Sequence, residues 1–273
     1  MNYQKTSLSA GLYFVGVPIG TARDITLRAL DVLASADVLA AEDTRSMRRL
    51  MDIHGVPLDG RRILALHDHS KEGVLARLTD AIKNGKSVAY ASEAGMPLIA
   101  DPGFELARAC ATEGLPVTCA PGPSAVLTAL ALAGLPTDAF YFAGFLPNSK
   151  AARLRALEKL ADVDGTLVFY ESPKRLGAML RDASAALGSE RLAAVCRELT
   201  KRFEEVRRGT LETLTDAYAG HSPSVSLLDL DKDLRRALTD ASMRDAVDLV
   251  AQAHGLPRRQ VYQAALAIVK DEV

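Results

Sequence analysis

Short apolar runs recur along the chain, and between them the apolar positions return every three or four residues. Leu12–Val17 is continuously apolar, the pattern of a strand buried on both faces. Leu27, Leu30, Leu33 and Ala34 then fall at helical spacing, and Asp37–Ala41 reads as a second strand. The alternation continues with a helix over Thr44–Ile53, a strand at Arg62–Leu66 and a helix over Lys71–Lys83. A strand at Ser87–Ala91, a helix at Phe104–Glu113 and a short strand at Pro116–Cys119 follow. Strands and helices in this order predict an α/β fold whose mostly parallel sheet carries helices on both faces.

The Ala120-Pro121-Gly122-Pro123 stretch marks a boundary, after which the pattern restarts. Helices are expected at Ser124–Ala133, Ser149–Leu160, Pro173–Leu187 and Gly209–Ala219. Strands are expected at Phe140–Ala143, Thr166–Tyr170 and Leu192–Cys196, with a final one within His221–Asp229. From Lys232 the chain reads as helical, ending in two helices broken at Gly255-Leu256-Pro257. The expected domains are residues 1–120 and 121–230, both α/β, followed by a helical extension over 231–273 that resembles a helix-turn-helix.

Composition narrows the function classes. The 273 residues are 48% hydrophobic and carry a formal net charge of −1, so no global field draws the protein to a polyanion, and any such partner must meet a local basic patch. No run approaches the ~20 apolar residues of a membrane span. Cys110, Cys119 and Cys196 form no C-x-x-C pair and read as reduced thiols, so a soluble cytoplasmic protein is expected. Tryptophan is absent and aromatics total 5%, which argues against a base-stacking platform. Neither G-x-G-x-x-G nor G-x-x-x-x-G-K-[ST] occurs, so the common dinucleotide and nucleotide-triphosphate loops are missing.

Candidate chemistry gathers at the strand ends, where ligands bind in open α/β sheets. The richest segment is Ser92-Glu93-Ala94-Gly95-Met96-Pro97-Leu98-Ile99-Ala100-Asp101-Pro102-Gly103. Its prolines remove N–H donors and fix φ, and its glycines let backbone approach a ligand. Pro18-Ile19-Gly20 ends the first strand; Glu42-Asp43-Thr44-Arg45 ends the second, where Asp43 or Thr44 also suits an ordinary helix cap. His67-Asp68-His69 ends the third; with no further Cys/His cluster to support a metal site, it suits a polar cleft wall, a substrate hydrogen bond or proton transfer, and Asp68 or Ser70 also suits an ordinary helix cap. Pro121–Ala125, Phe169–Arg175 and Arg197–Lys201 complete the set.

Taken in order, these motifs resemble the small-subunit ribosomal RNA methyltransferase I family of the tetrapyrrole (corrin/porphyrin) methylase superfamily, from about Gly11 to Glu205. The resemblance implies a class III methyltransferase: two α/β domains with a cleft between them, S-adenosyl-L-methionine (AdoMet) as cofactor, and a homodimer. It implies a substrate too, the ribose 2′-hydroxyl of a decoding-centre cytidine of 16S rRNA in the small ribosomal subunit. By resemblance Pro18 and Gly20 shape the cleft, Glu93, Ala94, Gly95, Leu98 and Ile99 hold the methionine part of the cofactor, and Ser124, Ala125, Tyr170 and Glu171 complete its pocket. Asp43, His67 and His69 are the candidate catalytic groups, and Thr44 and Arg45 face the nucleotide. Candidate RNA contacts are Arg153 and Arg155 on one helix, with Lys150 and Lys159, then Lys174 and Arg175, Lys201 and Arg202, and Arg258 and Arg259.

The chain departs from the family where a Ser-Asp-Ala-Gly-Thr-Pro loop is usual: Glu93 stands for the aspartate and Met96 for the threonine. The family's late Lys-Gly-Glu strand is represented only by Gly220–Leu228. Two other readings stand beside this one: a tetrapyrrole C-methyltransferase of the same fold, against which these motifs speak, and a ribosome-assembly factor without catalysis, favoured only by the altered His221–Leu228 region.

Overall fold

A computed structural model describes residues 2–66, 72–219, 227–254 and 256–271. The chain divides into two compact units, Met1–Thr128 and Ala129–Val273.

In the first unit β1 (Gly11–Val15), β2 (Val38–Ala41), β3 (Ile63–Ala65), β4 (Ser87–Ala91) and β5 (Val117–Ala120) form one sheet. It is ordered β3-β2-β4-β1-β5, and every pairing is parallel. The connecting helices are α1 (Leu27–Ser35), α2 (Thr44–Ile53), α3 (Glu72–Lys83) and α4 (Phe104–Thr112). The strands explain the continuous apolar runs, because alternate residues serve different layers. Val15, Leu39, Ala41, Ala89 and Ala91 pack with Leu30 and Leu33 of α1 and Met47 and Met51 of α2. Leu12, Phe14, Ala40, Val88 and Tyr90 pack on the other face with Leu78 and Ile82 of α3 and Leu106 and Cys110 of α4. α1 and α2 thus cover one face and α3 and α4 the other. The chain's direction of travel across the sheet reverses after β3, and the exits of β1 and β4 lie side by side at that switch point.

α5 (Ala125–Ala133) leads into the second unit. There β6 (Phe140–Phe145) and β7 (Thr166–Tyr170) pair in parallel, with an irregularity between Phe142 and Gly144. β8 (Leu192–Arg197) and β9 (Glu205–Thr210) pair antiparallel. α6 (Lys150–Glu158), α7 (Pro173–Leu187) and α8 (Leu211–Tyr218) enclose a core of Leu157, Met179, Leu180, Leu211 and Leu214. Three helices follow, α9 (Leu227–Asp240), α10 (Met243–His254) and α11 (Arg258–Asp271). They share a core with Phe203, which reaches them from the β8–β9 loop and is 4% exposed. Among the described residues no helix is long and apolar enough to cross a membrane.

Two expectations change here. β9 has no counterpart in the sequence reading, since Glu205-Val206-Arg207-Arg208-Gly209-Thr210 lacks an apolar run. It forms because β8 offers a full antiparallel ladder from Leu192↔Thr210 to Arg197↔Glu205. The strand expected within His221–Asp229 is not one at its C-terminal end: residues 227–229 open α9, and 221–226 lie outside the described residues.

Candidate active site

Three strand exits of the first unit are tied together by backbone. Val17 and Gly95 exchange hydrogen bonds, N–H to carbonyl at 2.9 Å and 3.1 Å, and the Gly16 N–H donates to the Ala120 carbonyl at 3.0 Å. Gly16 and Gly122 touch so closely that a Cβ on Gly16 would lie 2.7 Å from the Gly122 Cα and 2.7 Å from the Met96 sulfur. The Gly122 N–H points at that sulfur, 3.3 Å away. Met96 therefore packs where the β1, β4 and β5 exits converge, a structural use for the family's altered position.

The loop after β4 is held in an unusual backbone shape. Positive φ occurs at Gly95 (73°), Leu98 (74°), Ala100 (62°) and Gly103 (116°). Two of these carry side chains, a strained arrangement that persists only where the surroundings over-determine it. Tyr90, fully buried, supplies one anchor: its hydroxyl donates to the Pro102 carbonyl at 3.1 Å, and its ring lies under Gly103. Ser92 donates to the Ala94 carbonyl at 3.2 Å. This mooring leaves Glu93, Ala94 and Ile99 exposed and Leu98 half-buried. Pro18 is half-buried, Gly20 is exposed, and the Ile19 side chain lies against Gly95.

At the neighbouring β2 exit, Asp43 is the N-cap of α2. Its carboxylate accepts from the N–H groups of Arg45 (2.7 Å) and Ser46 (3.3 Å). It also pairs with the Arg45 guanidinium at 3.1 Å. The guanidinium's hydrogen bond and the Arg45 N–H hold the Asp43 carboxyl below its usual range. As a proton acceptor it is therefore weak, and the capping reading describes its geometry. Thr44 is half-buried at the first position of α2, whereas the Arg45 side chain is 91% exposed. His67 and His69 lie outside the described residues.

The sequence reading missed an acidic cluster here. Glu42 accepts from the Glu93 N–H at 3.1 Å. Asp101 is pushed up to about 6 by burial and then by the charges of Glu42 and Glu93, against a hydrogen bond from Ser92. Glu42 stands inside a quoted motif and Asp101 inside the quoted loop. Their convergence depends on β2 and β4 being neighbours, which no local pattern reveals. On the last exit, Ser124 accepts from the Leu127 N–H at 3.4 Å as α5 begins, and Ala125 is its first residue.

In the second unit Tyr170 meets Phe142 and Phe145 edge-on, with centroids 4.9 Å and 5.6 Å apart. Glu171, its side chain 5% exposed, accepts from the Ser172 N–H at 2.8 Å through one oxygen. The other faces the Arg175 guanidinium at 3.1 Å but makes no hydrogen bond. Arg175 also donates to the Leu146 carbonyl at 2.6 Å and to Asn148, so it clamps the β6–α6 loop. Arg153 is a correction: it is 6% exposed, and it pairs with buried Asp182 at 2.6 Å. Its Nη1 donates to the Asn148 carbonyl at 3.1 Å, so the guanidinium is spent inside the fold. Arg155 and Lys174 remain exposed.

The donor chemistry fits AdoMet. In the first unit Glu42, Glu93 and Asp101 offer carboxylates to a sulfonium or ammonium cation. Among the described residues no group of three or more His, Cys, Asp or Glu is placed to hold a metal.

Comparison with known proteins bears on this arrangement. Residues 11–215 match the Tetrapyrrole (Corrin/Porphyrin) Methylases, and residues 225–268 match the RsmI C-terminal HTH domain. A "Ribosomal RNA small subunit methyltransferase I" of Mesorhizobium japonicum is 50% identical over 78% of this chain and 71% of its own. The protein of the same name from Mycobacterium bovis is 43% identical over 95% of this chain and 96% of its own. Among solved structures, uroporphyrin-III-C-methyltransferase from Thermus thermophilus covers 77% of this chain and 90% of its own, with a TM-score of 0.54 at 23% identity. Diphthine synthase covers 75% and 84%, with a TM-score of 0.56 at 19% identity. These two likenesses establish the fold, that of the class III methyltransferases.

Proposed function

Because the chain belongs to the ribosomal RNA small subunit methyltransferase I family of the tetrapyrrole methylases, we propose that it methylates rRNA of the small ribosomal subunit, with AdoMet as methyl donor. The supporting observation is 43% identity to a protein of that name across 95% of the chain. More specifically, the target is the ribose 2′-hydroxyl of a decoding-centre cytidine in 16S rRNA. The enzyme acts in the cytoplasm as a homodimer.

AdoMet, when bound, supplies a methyl group already activated by its sulfonium. The loop residues Glu93, Ala94, Gly95, Leu98 and Ile99 hold its methionine part, with Pro18 and Gly20 alongside. Ser124, Ala125, Tyr170 and Glu171 are further cofactor contacts. The strained, moored loop fixes the donor's position, and pre-set alignment of this kind can supply ~7–11 kcal/mol of barrier reduction. A base for the ribose hydroxyl adds about 10²–10⁴-fold. His67 and His69 take that role, since Asp43 is committed to capping α2 and to Arg45. Thr44, Arg45, Arg155 and Lys174 contact the RNA.

Purified small subunits lacking the modification, incubated with the protein and isotopically labelled AdoMet, test the proposal. Label is expected on one 16S rRNA cytidine, as a 2′-O-methyl on mapping. Label on no rRNA refutes the function; label elsewhere in the rRNA refutes only the site.

A further inference from the structure

Beyond Arg45, helix α2 presents further residues that the site described above does not use. Its buried side is Met47 and Met51. Arg45, Arg48 and Arg49 are exposed, and at 3.6 residues per turn they fall within about 100° of the helix circumference, opposite the methionines. Arg45 pairs with Asp43. Among the described residues the Arg48 and Arg49 side chains make no ion pair or hydrogen bond.

This placement disfavours the isolated helix. Arg45 is in the first turn, where the helix dipole is positive, and there the N-cap Asp43 offsets it, whereas Arg48 and Arg49 have no such partner. Like charges at i,i+3 and i,i+4 spacing also repel one another. The same face also carries exposed Asp52, one turn beyond Arg48 and Arg49, so a single carboxylate only partly offsets the three arginines. The stripe starts at the β2 exit, beside the loop whose Glu93 N–H bonds Glu42. One sheet edge therefore carries acidic groups around the loop and cationic groups on the helix that begins there. That segregation suits a cationic cofactor and a polyanionic substrate.

We infer that the exposed arginine face of α2, through Arg48 and Arg49, is a docking surface for the phosphate backbone of RNA next to the nucleotide being modified. This rests on the rRNA methyltransferase reading. Two phosphate contacts contribute about 1.4–1.8 to the slope of log affinity against log salt, which at ~0.15 M salt is roughly 14–30-fold in affinity.

The test compares Arg48→Gln/Arg49→Gln with Arg77→Glu, which changes net charge by the same amount on α3, on the opposite face of the sheet. Both are assayed on purified small subunits, with AdoMet affinity by calorimetry and thermal unfolding alongside. The double variant is expected to raise the KM for subunits roughly 14–30-fold at ~0.15 M salt and to lower the salt slope by about 1.4–1.8. Its AdoMet affinity stays unchanged and its melting temperature equals or exceeds that of the wild type. Arg77→Glu leaves KM and slope unchanged. A double variant with wild-type KM and salt slope overturns the inference, as does an equal loss in Arg77→Glu. If the wild type itself transfers no methyl group to subunits, it is the underlying functional reading that fails.

Discussion

Replacing Arg153 by methionine is expected to destabilise the second unit without first affecting any substrate contact. The Arg153 and Asp182 side chains are 7% and 8% exposed, and the guanidinium meets one carboxylate oxygen at 2.6 Å through Nη2. Nε donates to the same oxygen at 2.7 Å, and Nη1 donates to the Asn148 carbonyl at 3.1 Å. Methionine fills most of the volume but leaves the Asp182 carboxylate buried with its cation gone. Breaking one side of a buried pair costs about 3–5 kcal/mol, whereas replacing both sides with apolar groups can be neutral. For a unit of this size about 2–4 °C is lost per kcal/mol, so the melting temperature should fall by roughly 6–20 °C. Differential scanning calorimetry of the whole chain measures this, and Arg153→Met/Asp182→Leu should recover most of the loss. A single variant melting within about 2 °C of wild type while losing affinity for small subunits refutes the reasoning, because that is how a surface phosphate contact behaves.

Gly16→Ala forces a Cβ to within 2.7 Å of Gly122 and of Met96. It should cost about 1–3 kcal/mol and abolish AdoMet binding by calorimetry, since the strand exits must separate. Asp101 titrates near 6 in the folded chain, above the unfolded value near 3.8, so its ionised form is disfavoured by folding. Folding therefore favours its protonated form, and stability from this group falls as pH rises from about 4 through 6. Asp101→Asn should thus raise the melting temperature at pH 8 and leave it unchanged at pH 3.5; the reverse order contradicts the assignment. Phe203→Ala empties the socket in the three-helix core and should cost about 3–5 kcal/mol. Hydrogen exchange should then quicken in α9–α11 and stay slow in β1 and β4.

Much of the first unit was legible in the sequence because its strands are buried on both faces and its helices on one. Those conditions write two distinct periodicities into the chain. The carboxyl-end loops were legible for a related reason: glycine and proline cluster where backbone must close on backbone, as at Gly16, Gly95 and Gly122. β9 escaped notice because Arg207 and Glu205 serve an ion-pair network with Arg197, so the strand shows polar residues where a core strand shows apolar ones. The acidic cluster escaped because Glu42, Glu93 and Asp101 come from two loops that meet only through the pairing of β2 with β4.

The arginines show where local pattern stops being informative. Arg153 and Arg155 are two residues apart on one helix, yet one is buried and the other exposed. Helical geometry puts them about 200° apart, so at most one could belong to any single solvent face. Which one turns inward is decided by Asp182, 29 residues later on α7, and by the Asn148 carbonyl at the start of the helix. Arg175 is drawn in the same way, by Glu171 one turn earlier and by Leu146 across the strand pair. Arg48 and Arg49 face no acceptor from a packed element, because the opposite side of α2 is already filled by methionine. A run of basic residues therefore marks a polyanion surface only after the carboxylates and carbonyls of the fold have taken theirs. In this chain that subtraction removes Arg153, turns Arg175 inward, and leaves the outer face of α2 at the edge of the candidate site.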